Sequence, residues 1–283
     1  MASEMGYSQS DLQEVQKRAV DIRADILEMI PAGKVGHLGG SCSVADVTAG
    51  LYFKHMKVYA DPKDPRRDRC IFSKGHAVLA QYACFVELGY VDRSELKKVK
   101  TMNGILQGHP DMEMTPGIEA VTGSLGQGLS VSLGMAMGLK LDGSASRVYT
   151  ILGDGELSEG QVWEAIMAAY AYKMDNLCAI VDFNGIQATD STERVLPIHD
   201  LKDKWTAFGW HAIEIDGHDA AQILEALDEA AETKGRPTVI LAQTVKGKGF
   251  CFAEGLAKYH NASMTPEEYQ EALAAIERMR MEV

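Results

Sequence analysis

Residues 147–186 read RVYTILGDGELSEGQVWEAIMAAYAYKMDNLCAIVDFNGI. Arg147 to Leu152 is a β-branched and apolar run, the pattern of a strand buried on both faces. Gly153-Asp154-Gly155 sets glycine on both sides of an acid, which allows a tight turn. From Glu156 to Tyr170 the apolar residues fall at 162, 163, 166, 169 and 170, the spacing of a helix. A second apolar run, Leu177 to Asp182, ends in Phe183-Asn184. Strand, helix and strand joined by a right-handed crossover put both strand ends on one edge of one sheet. Asp154 and Asn184 then lie at carboxyl ends of nearby strands, where open α/β sheets bind ligands.

The residue types suggest what binds. A carboxylate, an amide oxygen and a nearby backbone carbonyl are hard oxygen ligands, suited to Mg²⁺ or Ca²⁺ rather than zinc. Mg²⁺ takes few protein ligands and completes its shell with water and phosphate oxygens. Gly155 leaves room for a phosphate at the backbone N–H groups that begin the helix. The pattern suits a metal-bridged diphosphate. A bare GDG also fits a strand-turn-helix in which Asp154 only caps the helix.

The rest of the 283-residue chain is consistent with one large α/β domain, since strands and helices alternate throughout without a linker. The expected architecture is a parallel, mostly doubly wound sheet with helices on both faces. Net charge is −12, which counts against a nucleic-acid binder and leaves phosphate handling to helix N-termini, glycine turns and histidines. No apolar run reaches the length of a membrane span, and the first residues lack the layout of a signal peptide. The five cysteines are odd in number and form no CxxC pair, so reduced thiols in a cytoplasmic protein are the plain expectation.

Working outward, a helix is expected over Asp11 to Met29, a glycine-rich loop at Gly36 to Ser41, and a helix over Ser43 to Met56. Arg69 to Phe72 reads as a short strand running into Ser73-Lys74-Gly75-His76 and a helix to Leu88. Asn103 to Gly123 reads as a long loop, and a small-residue helix follows to Lys140. Gly185 to Asp200 reads as mobile. Trp210 to Asp216 and Pro237 to Gln243 read as strands, with an amphipathic helix over Ala220 to Thr233 between them. Lys246-Gly247-Lys248-Gly249 opens a further loop, whose lysines suit either phosphate binding or a solvated turn. Thr265-Pro266-Glu267-Glu268 is a capping box with proline at the first helical position.

Four of the eight histidines, His37, His76, His109 and His260, lie in glycine-flanked loops at expected strand ends. Convergent histidines hydrogen-bond sugar hydroxyls and move protons near neutral pH. His55, His199, His211 and His218 lack that setting and read as structural or exposed.

GHLGGS, SKGHA, QGHPD, TGSLGQG, GDGELSEG, DFNGI and TVKGKG occur in the order seen in the transketolase family. The sequence resembles the N-terminal subunit of split transketolases over nearly its whole length. GDG followed by Asn184 also resembles the thiamine diphosphate signature. The resemblance implies a thiamine diphosphate-binding fold over residues 1–283. It implies Mg²⁺, for which Ca²⁺ substitutes, on Asp154, Asn184 and the carbonyl of Ile186. His37, His76, His109 and His260 would line the substrate channel, with His37, His76 and His260 also at the cofactor. Gly123, Leu125 and Gly155 would contact the cofactor. Glu159 would couple to a partner glutamate at a subunit interface, although its position in a first helical turn also suits the helix dipole.

His37 and Leu125 sit in GHLGG and GSLGQG, motifs in which many full-length transketolases carry proline, and the departure fits the split type. Asn261 and Tyr259 depart from the glycine and tryptophan expected around His260. In this family the pyrimidine-binding and C-terminal domains carry the glutamate and the phosphate-binding arginines that complete the site. A partner chain is therefore expected to supply them, in an α₂β₂ assembly acting on sugar phosphates by two-carbon ketol transfer. The alternatives are the alpha subunit of a 2-oxoacid dehydrogenase, a synthase acting on pyruvate and a triose phosphate, and a non-catalytic cofactor-binding subunit.

Overall fold

The computed structural model describes residues 6–283. Among these residues five strands form one sheet: β1 (Arg69–Phe72), β2 (Val148–Gly153), β3 (Leu177–Phe183), β4 (His211–Asp216) and β5 (Thr238–Gln243). Their order is β1-β2-β3-β5-β4 and every pairing is parallel. The helices are α1 (Gln9–Met29), α2 (Leu38–Ser43), α3 (Ala45–Gly50), α4 (Val78–Glu87), α5 (Gln127–Leu141), α6 (Gly160–Ala171), α7 (Thr192–Val195), α8 (Leu201–Ala207), α9 (Ala220–Glu232) and α10 (Pro266–Glu282).

Alternate strand residues face opposite sides of the sheet. Phe72, Tyr149, Ile151, Cys178, Ile180 and Ile240 pack with α1 to α4, α9 and α10. Val148, Leu152, Leu177, Ala179, Val181, Val239 and Leu241 pack with α5, α6 and α8. The winding explains the division. From β1 to β4 the chain crosses the sheet in one direction, and from β4 to β5 it steps back. Right-handed crossovers then place α9 on the face opposite α6 and α8, as observed.

The expected strands and most helices are present, within a residue or two at their ends. The Thr265 capping box forms, with the Glu268 amide donating to Thr265 Oγ1 at 3.1 Å and the Thr265 amide to Glu268 Oε2 at 2.8 Å. A second box, Ser8 with Asp11, starts α1 at Gln9.

Three expectations need correction. The Gly36–Ser41 stretch is not all loop, because α2 begins at Leu38 and all six of its residues are buried. Its glycines serve close packing: a Cβ on Gly39 would lie 3.0 Å from Lys246 Cγ and from the Tyr259 carbonyl. The helix expected from Glu156 is interrupted by a 3₁₀ turn at Gly155–Ser158 and an extended Glu159 before α6 starts at Gly160. The helix expected over Ser43 to Met56 is α3 followed by a π turn at Leu51–His55.

The segment 185–200 carries an Ile186–Ser191 bridge and α7. Cys42, Cys70, Cys84 and Cys178 are buried free thiols, and burial pushes those of Cys42, Cys70 and Cys178 up to about 12, which leaves them inert. Cys251 is free and exposed. Among the described residues no helix is long and apolar enough to cross a membrane.

Candidate active site

The carboxyl ends of β1, β2, β3 and β5 open into a cavity of about 280 Å³. His37, His76, His109, Gly123, Leu125, Asp154, Gly155, Asn184, Ile186 and His260 all line it. Glu159 does not; it is exposed beyond the cavity, and its side chain makes no hydrogen bond or ion pair among the described residues. Gly126 lies beside it in the left-handed region (φ +82°), where a Cβ would meet Glu159 Cβ at 2.8 Å.

At the base of the cavity, β2 and β3 are adjacent, with Gly153 in register with Asp182. Asp154 follows Gly153, and its carboxylate accepts hydrogen bonds from the backbone of Gly155 (2.7 Å) and Gly185 (2.5 Å). Burial, reinforced by the charge of Asp182, pushes the Asp154 carboxyl up to about 6. Asn184 Oδ1 accepts from the Ile186 amide at 3.1 Å, and the Ile186 carbonyl accepts from Lys246 Nζ at 2.8 Å. Each of these oxygens retains a lone pair. A buried carboxylate that no cationic side chain contacts among the described residues, beside an amide and a carbonyl oxygen, is a donor set that fits Mg²⁺ or Ca²⁺.

The charge around this set was not legible from composition. Lys74 and Lys246 are both buried cavity residues, at 2 % and 3 % exposure. Lys74 Nζ pairs with the Asp182 carboxylate and donates to the Gly40 carbonyl at 3.2 Å. Burial, with Lys74 nearby, pulls the Lys246 ammonium down to about 8. Two buried ammonium groups thus reach the cavity of an acidic chain, Lys74 paired with Asp182 and Lys246 with no carboxylate in contact among the described residues. Both stood inside quoted motifs, SKGHA and TVKGKG. Neither motif distinguishes a buried lysine from a solvated one.

Asp182 and Glu156 were also missed. Asp182 accepts from Ser43 Oγ (2.6 Å), Thr244 Oγ1 (2.5 Å) and Asn184 Nδ2 (2.9 Å) as well as from Lys74. Burial opposes its charge, but Lys74 and the hydroxyl donors hold its carboxyl below the usual range. Glu156 accepts from the Gly126 amide (2.8 Å), the Gly153 amide (3.1 Å) and Ser73 Oγ. It ties the loops after β1 and β2 to the start of α5.

The four histidines form one cluster. The His76 and His260 ring centroids are 4.8 Å apart, and His37 lies 5.3, 5.7 and 5.6 Å from His76, His109 and His260. Burial pulls His37 down to about 3, His76 to about 2 and His260 to about 4, with nearby lysines adding to the effect. His109 is lowered by burial and by Lys100. All four rings are therefore neutral near pH 7, each with one donor and one acceptor nitrogen. Such rings bind hydroxyls and pass protons without carrying a resident charge.

A family model described as "Transketolase, thiamine diphosphate binding domain" matches residues 15–277. Over 277 residues the chain is 43 % identical to the 6-deoxy-6-sulfo-D-fructose transketolase subunit SqwG of Clostridium sp. (strain MSTE9), covering 97 % of this chain and 99 % of that one. It is 41 % identical to an apulose-4-phosphate transketolase subunit of Phocaeicola vulgatus, covering 90 % of each. Human transketolase is 39 % identical over 89 % of this chain but only 40 % of its own length. The solved transketolase of Campylobacter jejuni superposes with a TM-score of 0.83 at 29 % identity, over 96 % of this chain and 46 % of that one. The chain belongs to the transketolase family and matches, over nearly its whole length, members named as transketolase subunits.

Proposed function

We propose that this chain is the thiamine diphosphate- and Mg²⁺-binding subunit of a split transketolase, transferring a two-carbon ketol unit with a partner subunit. The observation that supports this most is the convergence of hard oxygen donors, two buried lysines and four neutral histidines on one cavity. Asp154, Asn184 and the Ile186 carbonyl would hold the metal. Lys74 and Lys246 would face the diphosphate, with Gly155 leaving the space it needs: a Cβ there would lie 2.8 Å from Gln187 Cγ. When bound, thiamine diphosphate supplies the nucleophilic carbon for ketol transfer.

His37, His109 and His260 would orient the sugar hydroxyls. His76 and His260 would move protons between those hydroxyls and water. Exposed Glu159 would meet the partner, which supplies the pyrimidine-binding and C-terminal domains. We propose an α₂β₂ assembly in the cytoplasm. Two of the relatives are named for ketoses bearing an anionic group, a sulfonate in one and a phosphate in the other. A ketose with an anionic far end is accordingly the substrate class.

The test is capture of partners by the full chain with thiamine diphosphate and Mg²⁺, then assay of the pair for ketol transfer from phospho- and sulfoketoses. Recovery of a chain with pyrimidine-binding and C-terminal transketolase domains, and transfer by the pair, is the expected result. A lipoyl-bearing partner would move the assignment to a 2-oxoacid dehydrogenase. A pair that binds cofactor but transfers nothing would leave a cofactor-binding subunit.

A further inference from the structure

His218 lies outside the cavity, in the Gly217-His218-Asp219 turn between β4 and α9. A Cβ on Gly217 would come within 2.5 Å of Thr244 Cγ2, so glycine lets this turn press against the loop that leaves β5. Gly217 also donates to the Gln243 carbonyl at 2.7 Å. His218 is then bonded through both ring nitrogens. Nε2 accepts from the Val245 amide at 2.9 Å, and Nδ1 lies 2.7 Å from Asp46 Oδ2. An amide N–H only donates, so Nε2 carries no hydrogen. The neutral ring is therefore the Nδ1–H tautomer, which donates to Asp46.

Asp46, in the first turn of α3, holds a second arm. Arg23 donates to its two carboxylate oxygens at 3.2 and 2.5 Å. Arg23 Nε also donates to the Lys248 carbonyl at 3.0 Å. Burial opposes the Asp46 charge, but Arg23 and the His218 ring outweigh it and hold the carboxyl at about 2. One carboxylate thus anchors the loop on both sides of Lys246, at Val245 through His218 and at Lys248 through Arg23. Between these anchors Gly247 donates to the Gly39 carbonyl at 3.0 Å, and the Lys246 side chain runs over Gly39 into the cavity. A lysine has four rotatable side-chain bonds, so a fixed backbone is needed to bring its tip to the Ile186 carbonyl and His260 Nδ1, which it reaches at 2.8 and 3.1 Å.

We infer that His218 is a positioning residue: with Asp46 it fixes the Val245–Lys248 loop so that the Lys246 ammonium is presented to an anion in the cavity. The inference rests on the diphosphate reading of that cavity. It gives a role at a distance to a histidine whose sequence setting gave none.

The test uses the full chain and inorganic pyrophosphate with Mg²⁺, titrated calorimetrically. Lys246→Met is expected to weaken binding by about tenfold or more, and His218→Phe by about tenfold, the scale of removing an orienting hydrogen bond. The double variant is expected to bind no worse than Lys246→Met alone, because both changes remove one contact. His218→Gln, which keeps a donor and an acceptor, should recover part of the loss.

Wild-type affinity in His218→Phe beside a weakened Lys246→Met would overturn the positioning role while leaving the diphosphate site intact. Additive losses in the double variant would also overturn it, because a general folding defect adds. Wild-type affinity in Lys246→Met would instead remove the diphosphate reading, and the inference with it. Should His218→Phe not fold, the ¹⁵N shifts of the wild-type ring decide. The Nδ1–H tautomer supports the anchor and the Nε2–H tautomer overturns it.

Discussion

The two ends of the cavity are built differently. At the end proposed for the metal and diphosphate, Asp154, Asp182, Glu156, Lys74 and Lys246 are buried and hydrogen-bonded to fixed groups on several loops. At the other end four imidazoles stand ring to ring, and only His260 has a side-chain hydrogen bond among the described residues, to Lys246 at 3.1 Å. The difference teaches which groups the fold holds and which it leaves for a ligand. A buried charge without partners is costly, so the charged end is cross-linked into the fold. A neutral imidazole is cheaper to desolvate and can keep its nitrogens for a substrate.

Variants can break or sharpen that contrast. The largest effect is expected at Lys74, where Lys74→Met leaves Asp182 buried without its cation. Urea unfolding should show a loss of about 3–5 kcal/mol. A loss under about 1 kcal/mol would mean that the hydroxyl and amide donors alone sustain Asp182. Asp154→Ala removes a proposed metal ligand rather than an orienting group. Thiamine diphosphate binding in Mg²⁺ should fall by more than about a hundredfold, since orienting groups alone reach that scale. Unchanged affinity would defeat the metal assignment.

Glu156→Gln keeps the side-chain shape but turns an N–H toward a backbone donor. It should cost about 1–3 kcal/mol, read as a lower thermal midpoint. A neutral result would show that the loops around Ser73, Gly126 and Gly153 hold without it. The smallest effect is expected at the histidine end, where His76→Phe should change stability little at pH 7.5.

Its signature is in the pH dependence. His76 titrates at about 2 when folded, against about 6.5 in an unfolded chain. Below pH 6.5 the unfolded chain binds the extra proton, so this contribution is complete above that pH and is lost as pH falls. Asp154, raised to about 6, acts in the opposite sense, adding stability as pH falls through 6. His76→Phe should therefore flatten the decline between pH 6.5 and 4.5 by up to about 1.4 kcal/mol per pH unit. An unaltered slope would mean that His76 is hydrated and charges freely.

Legibility followed the same division. The β2–α6–β3 unit was readable because a buried parallel strand leaves an unbroken apolar run and a helix leaves a 3.6-residue period. Asp154 and Asn184 were readable because strand ends in such a unit meet on one edge. The histidines were readable from glycine-flanked loops. Lys74 and Lys246 were not, since a lysine beside glycine looks the same in sequence whether its tip meets water or a carboxylate on another strand. Leu38–Ser41 reads as loop because glycine propensity argues against helix, and complete burial overrides propensity. His218 has no local context in the sequence, because its partners at Asp46 and Val245 are remote along the chain.

Sequence alone determined the parallel α/β class, the order of the elements and the residues that reach the carboxyl edge of the sheet, because periodicity and turn chemistry are local. Only the tertiary structure decided which charges are buried and what pairs them. Desolvation depends on everything within a few ångströms, and here those neighbours come from strands and loops far apart in the chain.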